Sequence, residues 1–298
     1  MNDVIIIISL PVLSGLLLFL IPEKFRTMKG IFALLISIIT GYLSIVIFIS
    51  ENQILLLNNL SPTSGLSIAG LDLISDAGRY LSFNCDNLSK LIILFVSLFA
   101  FLILLYSLMY IKAGRVKNYY PYFLITLGCS YGAILSDNLL MFIAFWGALG
   151  ITLYKLIQGN DEESSATAKK TLILIGASDS IMIIGIAIIW KITGSLSMGT
   201  ISVQTSDALS VIAFLALLTG SFTKAGAFPF HTWVPDYAKS APAASSAYLP
   251  ASLDKLLGIY FLARITTGMF IMNEWLTLLL MMIGVISIIT AVMMALVQ

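Results

Sequence analysis

The sequence is poor in charge. Aspartate, glutamate, lysine and arginine make up only 10% of its 298 residues, whereas 59% are hydrophobic, and the mean hydropathy is +1.01. A water-soluble domain carries charge on roughly a quarter of its residues. A large core does not account for the deficit, because the surface outside it must still be covered. The 16 basic and 15 acidic residues almost cancel to a net charge of +1, which leaves no basic footprint for nucleic acid. Cysteine is equally scarce: Cys85 and Cys129 stand far apart with no CxxC pair, so neither a disulfide framework nor a zinc site is indicated. With His231 as the only histidine, haem or iron–sulfur ligation is unsupported. No glycine-rich phosphate loop follows a strand. The residues give no reason to expect a cofactor or a metal bound by this chain.

Long apolar runs take the place of charge. They occupy 4–21, 30–50, 88–110, 119–135, 138–158, 171–190, 208–228, 243–264 and 274–297. Each approaches the roughly 20 residues needed to cross about 30 Å of hydrocarbon. The pattern predicts an all-α fold, a polytopic membrane helix bundle of about nine transmembrane helices with a broken seventh. The first run lacks a basic leader and is followed by Pro22, Glu23 and Lys24, so it reads as a retained helix rather than a signal peptide. With the N-terminus outside, the inner loops carry Lys24, Arg26, Lys29, Lys112, Arg115, Lys117, Lys169, Lys170 and Lys239, and the outer segments carry Arg79, Lys90, Lys191 and Arg264. That bias predicts a multi-pass cell-membrane protein with its N-terminus outside and C-terminus inside. The one long loop, 51–87, then lies outside; Ser61-Pro62-Thr63-Ser64-Gly65 marks it as turn-rich. Within it, Gln53–Leu57 and Tyr80–Phe83 have the composition of a small hairpin.

The informative residues are ionisable groups inside the apolar runs, because a charge at bilayer depth costs roughly 2.5–3.5 kcal/mol unless water or a partner is supplied. Lys224 is followed at once by Gly226 and Pro229. A helix broken there exposes backbone polar groups and is tolerated only beside other protein or a cavity. A lysine at such a break can exchange protons; the alternative is a snorkelling lysine near the inner interface. Asp179 lies among small residues, Gly176-Ala-Ser-Asp179-Ser180, which allow close helix approach. It is either functional or one half of a fixed structural pair. Asp254 and Lys255 follow Pro250 and point about 100° apart on a helix, so one can face the interior while the other meets a neighbouring helix. Lys155 sits near the inner end of the fifth span, where snorkelling explains it. His231 is either a proton relay or an interfacial residue with a satisfied hydrogen bond.

The stretch Lys224-Ala-Gly-Ala-Phe-Pro-Phe-His231-Thr-Trp-Val-Pro-Asp236, with Ala241-Pro242 beyond it, belongs to a series of motifs. Phe83-Asn-Cys-Asp86-Asn-Leu-Ser89 precedes the third span, Asp137-Asn-Leu-Leu and Phe145-Trp146 enter the fifth, and Gly258-Ile-Tyr260 with Arg264 closes the eighth. Across about 83–264 this series resembles the antiporter-like membrane subunits of respiratory complex I. Those are similar in turn to the large subunits of multi-subunit cation/proton antiporters and of energy-converting membrane-bound hydrogenases. The resemblance implies proton translocation, or sodium translocation, in a complex whose redox chemistry happens in other subunits. It also implies that Lys224 is the switchable proton carrier, that Asp179 falls where some members carry an acid, and that a lysine of the eighth helix continues the path. Lys255 stands one residue before that last position, which Leu256 occupies. Two departures matter. Family members usually carry a glutamate after the Phe-Trp pair, where this chain has Gly147. The family also continues with a second, inverted five-helix unit, whereas only its first helix is expected here, so a partner subunit supplies the remainder or the chain is a reduced relative.

The resulting expectation is a chain of three parts: 1–110 with three helices and the outer loop at 51–87, a five-helix antiporter-like unit over 119–264, and a single helix over 274–298. Its proton path would use Lys224, Asp179, Lys255, His231 and Asp254, and its partners would be other membrane subunits and the lipid bilayer. The alternative is a scaffold subunit that does not pump, distinguished by a dry Lys224. An independent solute carrier is disfavoured by the lack of an internal repeat pair. A cysteine placed in 60–70 should react with an impermeant reagent from outside, and one in 112–117 only from inside; reversed labelling contradicts the topology.

Overall fold

The computed structural model describes residues 2–56, 82–111, 118–159 and 161–297. It is a bundle of helices in the following order: α1 Asn2–Leu18, α2 Arg26–Ile49, α3 Asn87–Tyr110, α4 Tyr119–Leu135, α5 Leu139–Ile157, α6 Glu162–Thr193, α7 Ala208–Ala225, α8 Trp233–Ser240, α9 Ala243–Tyr248, α10 Asp254–Arg264 and α11 Glu274–Val297. A π turn, Leu249–Leu253, joins α9 to α10, and a second, Ile265–Met269, extends α10. Among the described residues six segments are long and apolar enough to cross a membrane: Glu23–Ile49, Asn87–Tyr110, Leu139–Ile157, Glu162–Thr193, Ala208–Ser240 and Glu274–Leu296. The chain is an all-α, multi-pass membrane protein. The three other expected spans are helical but short or interrupted. α1 and α4 have 17 residues each, and the eighth is divided among α9, the π turn at Pro250 and α10.

Side chains of opposite habit explain the arrangement. Residues facing outward are large and apolar, such as Leu17, Ile49, Met109 and Ile173, as suits a surface solvated by lipid. The inside holds aromatic rings and small polar residues. α1 packs on α4, α2 on α3, α5 between α4 and α6, and α7 between α6 and α10. Phe123 stacks on Tyr248 with centroids 3.6 Å apart, and Phe142 on Phe261 at 4.3 Å. α11 stands apart: its exposed apolar residues include Met281, Ile288 and Leu296, and Ser287 Oγ accepts from the Phe228 amide at 3.0 Å.

The end of the bundle opposite Arg26 is closed by short pairings. β1, Gln53–Leu56, runs antiparallel to β2, Ser82–Cys85, and β3, Val203–Gln204, runs parallel to β4, Phe270–Ile271. The first pair realises the expected hairpin with its second strand displaced towards Cys85; Leu57, Tyr80 and Leu81 lie outside the described residues, as do 60–70 and 112–117. Asp137 accepts from Ser197 Oγ at 2.6 Å and from the Gly199 amide at 3.2 Å, which locks the α4–α5 turn to the loop after α6. Asp86 caps α3 by accepting from the Ser89 amide at 2.9 Å. It also holds Arg264 in a two-pronged ion pair, Nη2 to Oδ1 at 2.7 Å and Nη1 to Oδ2. Arg264 Nε donates to the Tyr260 hydroxyl at 2.9 Å, which donates in turn to the Ile134 carbonyl at 2.5 Å. Three motifs separated in sequence are thus one fastening.

Burial alone would raise the Asp86 carboxyl, but the bonds from Arg264 and from the Ser89 amide outweigh it and hold the group below its ordinary value. Its contribution to stability is therefore present above about pH 4 and lost as the pH falls below that. Asp86→Asn should lower stability by roughly 1.5–3 kcal/mol, the usual worth of a hydrogen bond to a charged group, and flatten the acid limb of thermal unfolding measured in detergent.

Candidate functional site

The site begins with the end of a helix. α7 stops at Ala225 because Gly226 takes up a left-handed conformation, φ 69° and ψ 34°, from which its amide reaches back to the Phe222 and Thr223 carbonyls. A side chain at 226 would meet that conformation's penalty and also come within 2.7 Å of Val234. Phe228-Pro229, a cis peptide, then leads into a single 3-10 turn, Phe230–Thr232, and α8. The carbonyls freed at the end of α7 need donors. Trp233 Nε1 provides one, donating to Thr223 at 2.9 Å. This is the break that Gly226 and Pro229 announce in the sequence.

Lys224 lies in the last turn of α7, where the dipole of the helix favours a cation. It is 1% exposed. Asp254 begins α10 and is equally buried at 1%. α10 reaches it by close backbone approach: Gly258 has no room for a methyl group, which would stand 2.6 Å from the Ala225 amide nitrogen, and its carbonyl accepts from Ser221 Oγ at 2.7 Å. One turn before Gly258, Asp254 Oδ1 stands 4.0 Å from Lys224 Nζ. Neither Asp254 oxygen has a hydrogen-bond partner among the described residues.

Trp146 on α5 completes the arrangement. Its carbonyl accepts from Lys224 Nζ at 3.4 Å, its ring centroid lies 4.8 Å from the same nitrogen, and its Nε1 donates to Asp179 Oδ1 on α6 at 2.9 Å. One indole therefore presents its face to the ammonium and its edge to a carboxylate. Four helices supply four residues: Trp146, Asp179, Lys224 and Asp254. The next residue after the indole is Gly147, and a Cβ built there meets nothing within 4 Å.

The attraction within this cluster does not exceed the cost of burying its two charges. Two unit charges 4 Å apart attract by about 4 kcal/mol at an effective dielectric constant near 20. Removing each ion from water costs several kcal/mol, and without a direct hydrogen bond the pair recovers little more.

The other expected path residues fall elsewhere. Asp254 points inward and Lys255 is exposed on the outside of α10. Lys255 and His231 line a separate cavity of about 250 Å³, between the helix break, α10 and α11, together with Phe228, Val234 and Ser287. His231 stacks against Phe228 at 5.8 Å, and its Nδ1 has no partner among the described residues. Lys155, at the end of α5, donates to Gln158 Oε1 at 3.2 Å and lies over the Tyr154 ring. Trp146 is the residue that the sequence names only as part of a motif. Its signal was present: a buried indole N–H needs an acceptor, and Asp179 is the acid on the adjoining helix. No group of three or more histidine, cysteine, aspartate or glutamate residues able to hold a metal occurs among the described residues.

A family model described as "NADH:quinone oxidoreductase/Mrp antiporter, TM" matches residues 136–298. The A-type subunit of the Na(+)/H(+) antiporter of Alkalihalophilus pseudofirmus is 31% identical over 245 residues, which are 80% of this chain and 30% of that protein. The A1-type subunit of the Na(+)/H(+) antiporter of Staphylococcus haemolyticus is 30% identical over 215 residues, 70% of this chain and 27% of that protein. Among solved structures, a chain of the Mrp complex from Dietzia sp. DQ12-45-1b superposes with a TM-score of 0.71 at 18% identity, covering 89% of this chain and 48% of that one. A chain of the membrane-bound sulfane sulfur reductase, an archaeal respiratory membrane complex, gives 0.69 at 19% identity over 89% of this chain and 53% of that one. This chain thus spans under a third of the length of those curated relatives and about half of those structural ones.

Proposed function

This chain belongs to the NADH:quinone oxidoreductase/Mrp antiporter transmembrane family, and on that premise we propose that it is an ion-translocating membrane subunit of a multi-subunit antiporter or redox-linked complex. Protons are the ions its own side chains can carry. Lys224 is the transferable proton site, Asp254 its counter-ion, and Asp179 a second carboxylate that acts on it through Trp146. Lys255 and His231 belong to the neighbouring cavity and are assigned to the exit or entry of the same path. The proposal includes nine membrane crossings with the N-terminus outside and the C-terminus inside. It also includes the division into 1–110, 119–264 and 274–298, and partner subunits within the bilayer.

One observation carries the reading: a lysine and an aspartate, each 1% exposed, stand 4.0 Å apart beside the helix break that ends α7. Structural ion pairs at this depth are expected to be hydrogen-bonded on every prong, as the Asp86–Arg264 pair is. A pair left loose suits a charge that must change hands. The scaffold reading requires a Lys224 with no polar route away from it, and the two carboxylates nearby argue against that. The sulfane sulfur reductase and Mrp likenesses are likenesses of fold; redox chemistry is assigned, in this proposal, to partner subunits.

Lys224→Ala should leave the complex assembled and strongly reduce ion uptake into sealed vesicles at matched turnover and matched protein. Lys224→Arg should also impair uptake, since a guanidinium keeps its proton at physiological pH. Full uptake by both variants removes Lys224 from the mechanism and returns the chain to a scaffold role. Loss in the alanine variant alone means that the site supplies a fixed positive charge.

A further inference from the structure

The short helix α8 presents three faces with three tasks. Trp233 and Tyr237, one turn apart, are fully buried, and Trp233 Nε1 donates to the Thr223 carbonyl in the turn of α7 that carries Lys224. Val234, Pro235 and Ala238 line the cavity that holds His231 and Lys255. The third face lies on α6. There Asp236 Oδ2 accepts from Lys170 Nζ at 2.5 Å, Lys239 Nζ stands 2.8 Å from Glu163 Oε1, and the hydroxyl oxygens of Thr167 and Ser240 are 3.0 Å apart.

These contacts succeed one another along the two helices. Glu163, Thr167 and Lys170 share one face of α6, spaced as neighbours on a helix are, and their partners on α8 run the opposite way. Along α6 the order is acid, hydroxyl, base; along α8 it is base, hydroxyl, acid. Sliding α8 by one turn would break both ion pairs and carry either Lys239 towards Lys170 or Asp236 towards Glu163. Like charges thus reject the wrong registers. The four charged side chains are exposed, and an exposed ion pair stabilises little. What the pattern supplies is position. Position matters here because no continuous helix joins α8 to α7: the left-handed Gly226 and a 3-10 turn come between them.

We propose that Glu163 and Lys170 are positioning residues for ion translocation. Acting through Lys239 and Asp236, they hold α8 in one register on α6. Through α8 they keep the Trp233 indole on the Thr223 carbonyl, next in sequence to Lys224. α8 is then a fixed strut rather than a moving gate. The inference rests on the reading of Lys224 as the transferable proton site. If the strut slips, a carbonyl freed at the end of α7 loses its donor, and the surroundings of Lys224 change while the bundle stays folded.

The test uses the full chain within its native membrane complex, with ion uptake into sealed vesicles read at matched assembly. Glu163→Lys and Lys239→Glu each set like charges against one another and should each reduce uptake several-fold. The double exchange, Glu163→Lys with Lys239→Glu, should restore uptake to within about twofold of the wild type, because the two positions act as a pair. Wild-type uptake in both single variants, or a double exchange no better than the worse single one, overturns the proposal. A second measurement separates position from folding. Thr167→Cys with Ser240→Cys replaces the hydroxyl pair by thiols that an oxidant can join. In the otherwise wild-type chain this disulfide should leave uptake intact; in the Glu163→Lys chain it should restore uptake, and a reductant should abolish the rescue. Uptake lost on cross-linking the otherwise wild-type chain shows that α8 moves, and a Glu163→Lys chain that cross-linking does not rescue shows that register is not what was lost; either overturns the proposal. The two readings fail separately. Full uptake by Lys224→Ala refutes the carrier even where the charge exchange rescues, whereas full uptake by Glu163→Lys and Lys239→Glu refutes the strut even where Lys224→Ala abolishes uptake.

Discussion

A lysine in the last turn of a membrane helix cannot be left to the hydrocarbon, and three other helices bring side chains to it. The helix stops beside the ammonium, which the Trp146 carbonyl and indole face meet. It stops because Gly226 alone fits the left-handed turn against Val234. The opposing charge has to come from another helix, and α10 delivers Asp254 because Gly258 lets its backbone lie against Ala225. Each local feature of sequence is a condition for a contact across the bundle. None of them stabilises the protein by much alone.

The two ends of the bundle answer to different demands. At one end Arg264, Asp86, Ser89, Tyr260 and the Ile134 carbonyl are joined in one continuous set of hydrogen bonds. That end is a rigid fastening. Toward the other end, Asp254, Tyr237 and Tyr119 leave polar atoms unsatisfied by the described residues. A structure built only for stability would have treated both ends alike, because an unsatisfied buried group costs more than a hydrogen bond returns. The asymmetry sets a fastened end, at Asp86 and Arg264, against the loosely held Lys224–Asp254 pair.

Much of this was legible in the sequence. Apolar runs located the helices, and Gly226 with Pro229 located the break and the lysine beside it. The adjacent Asp254 and Lys255 could be divided between inside and outside only by structure. The π turn over Leu249–Leu253 holds more residues than an α turn, so helical phase counted forward from Pro242 is lost before Asp254. Short helices limited the count of spans: α1 and α4 each rise only about 26 Å by the geometry of 17 residues. Asp86 and Arg264 were visible as motifs but not as partners, since nothing in a single sequence joins two positions so far apart. Trp146 was hidden for another reason. An aromatic residue in an apolar run reads as core, and its role lies in one N–H and one ring face.

The claim on which the account turns is that Lys224 and Asp254 act as one proton-exchanging pair. It is tested most directly by ion uptake into sealed vesicles for Lys224→Gln, Asp254→Asn and the double variant, at equal assembly and equal turnover of the complex. A shared proton predicts strong non-additivity: each single change removes most of the uptake, and the double change is no worse than either. Losses that simply multiply, or a single variant with wild-type uptake, would show that the two groups do not share the transferable proton.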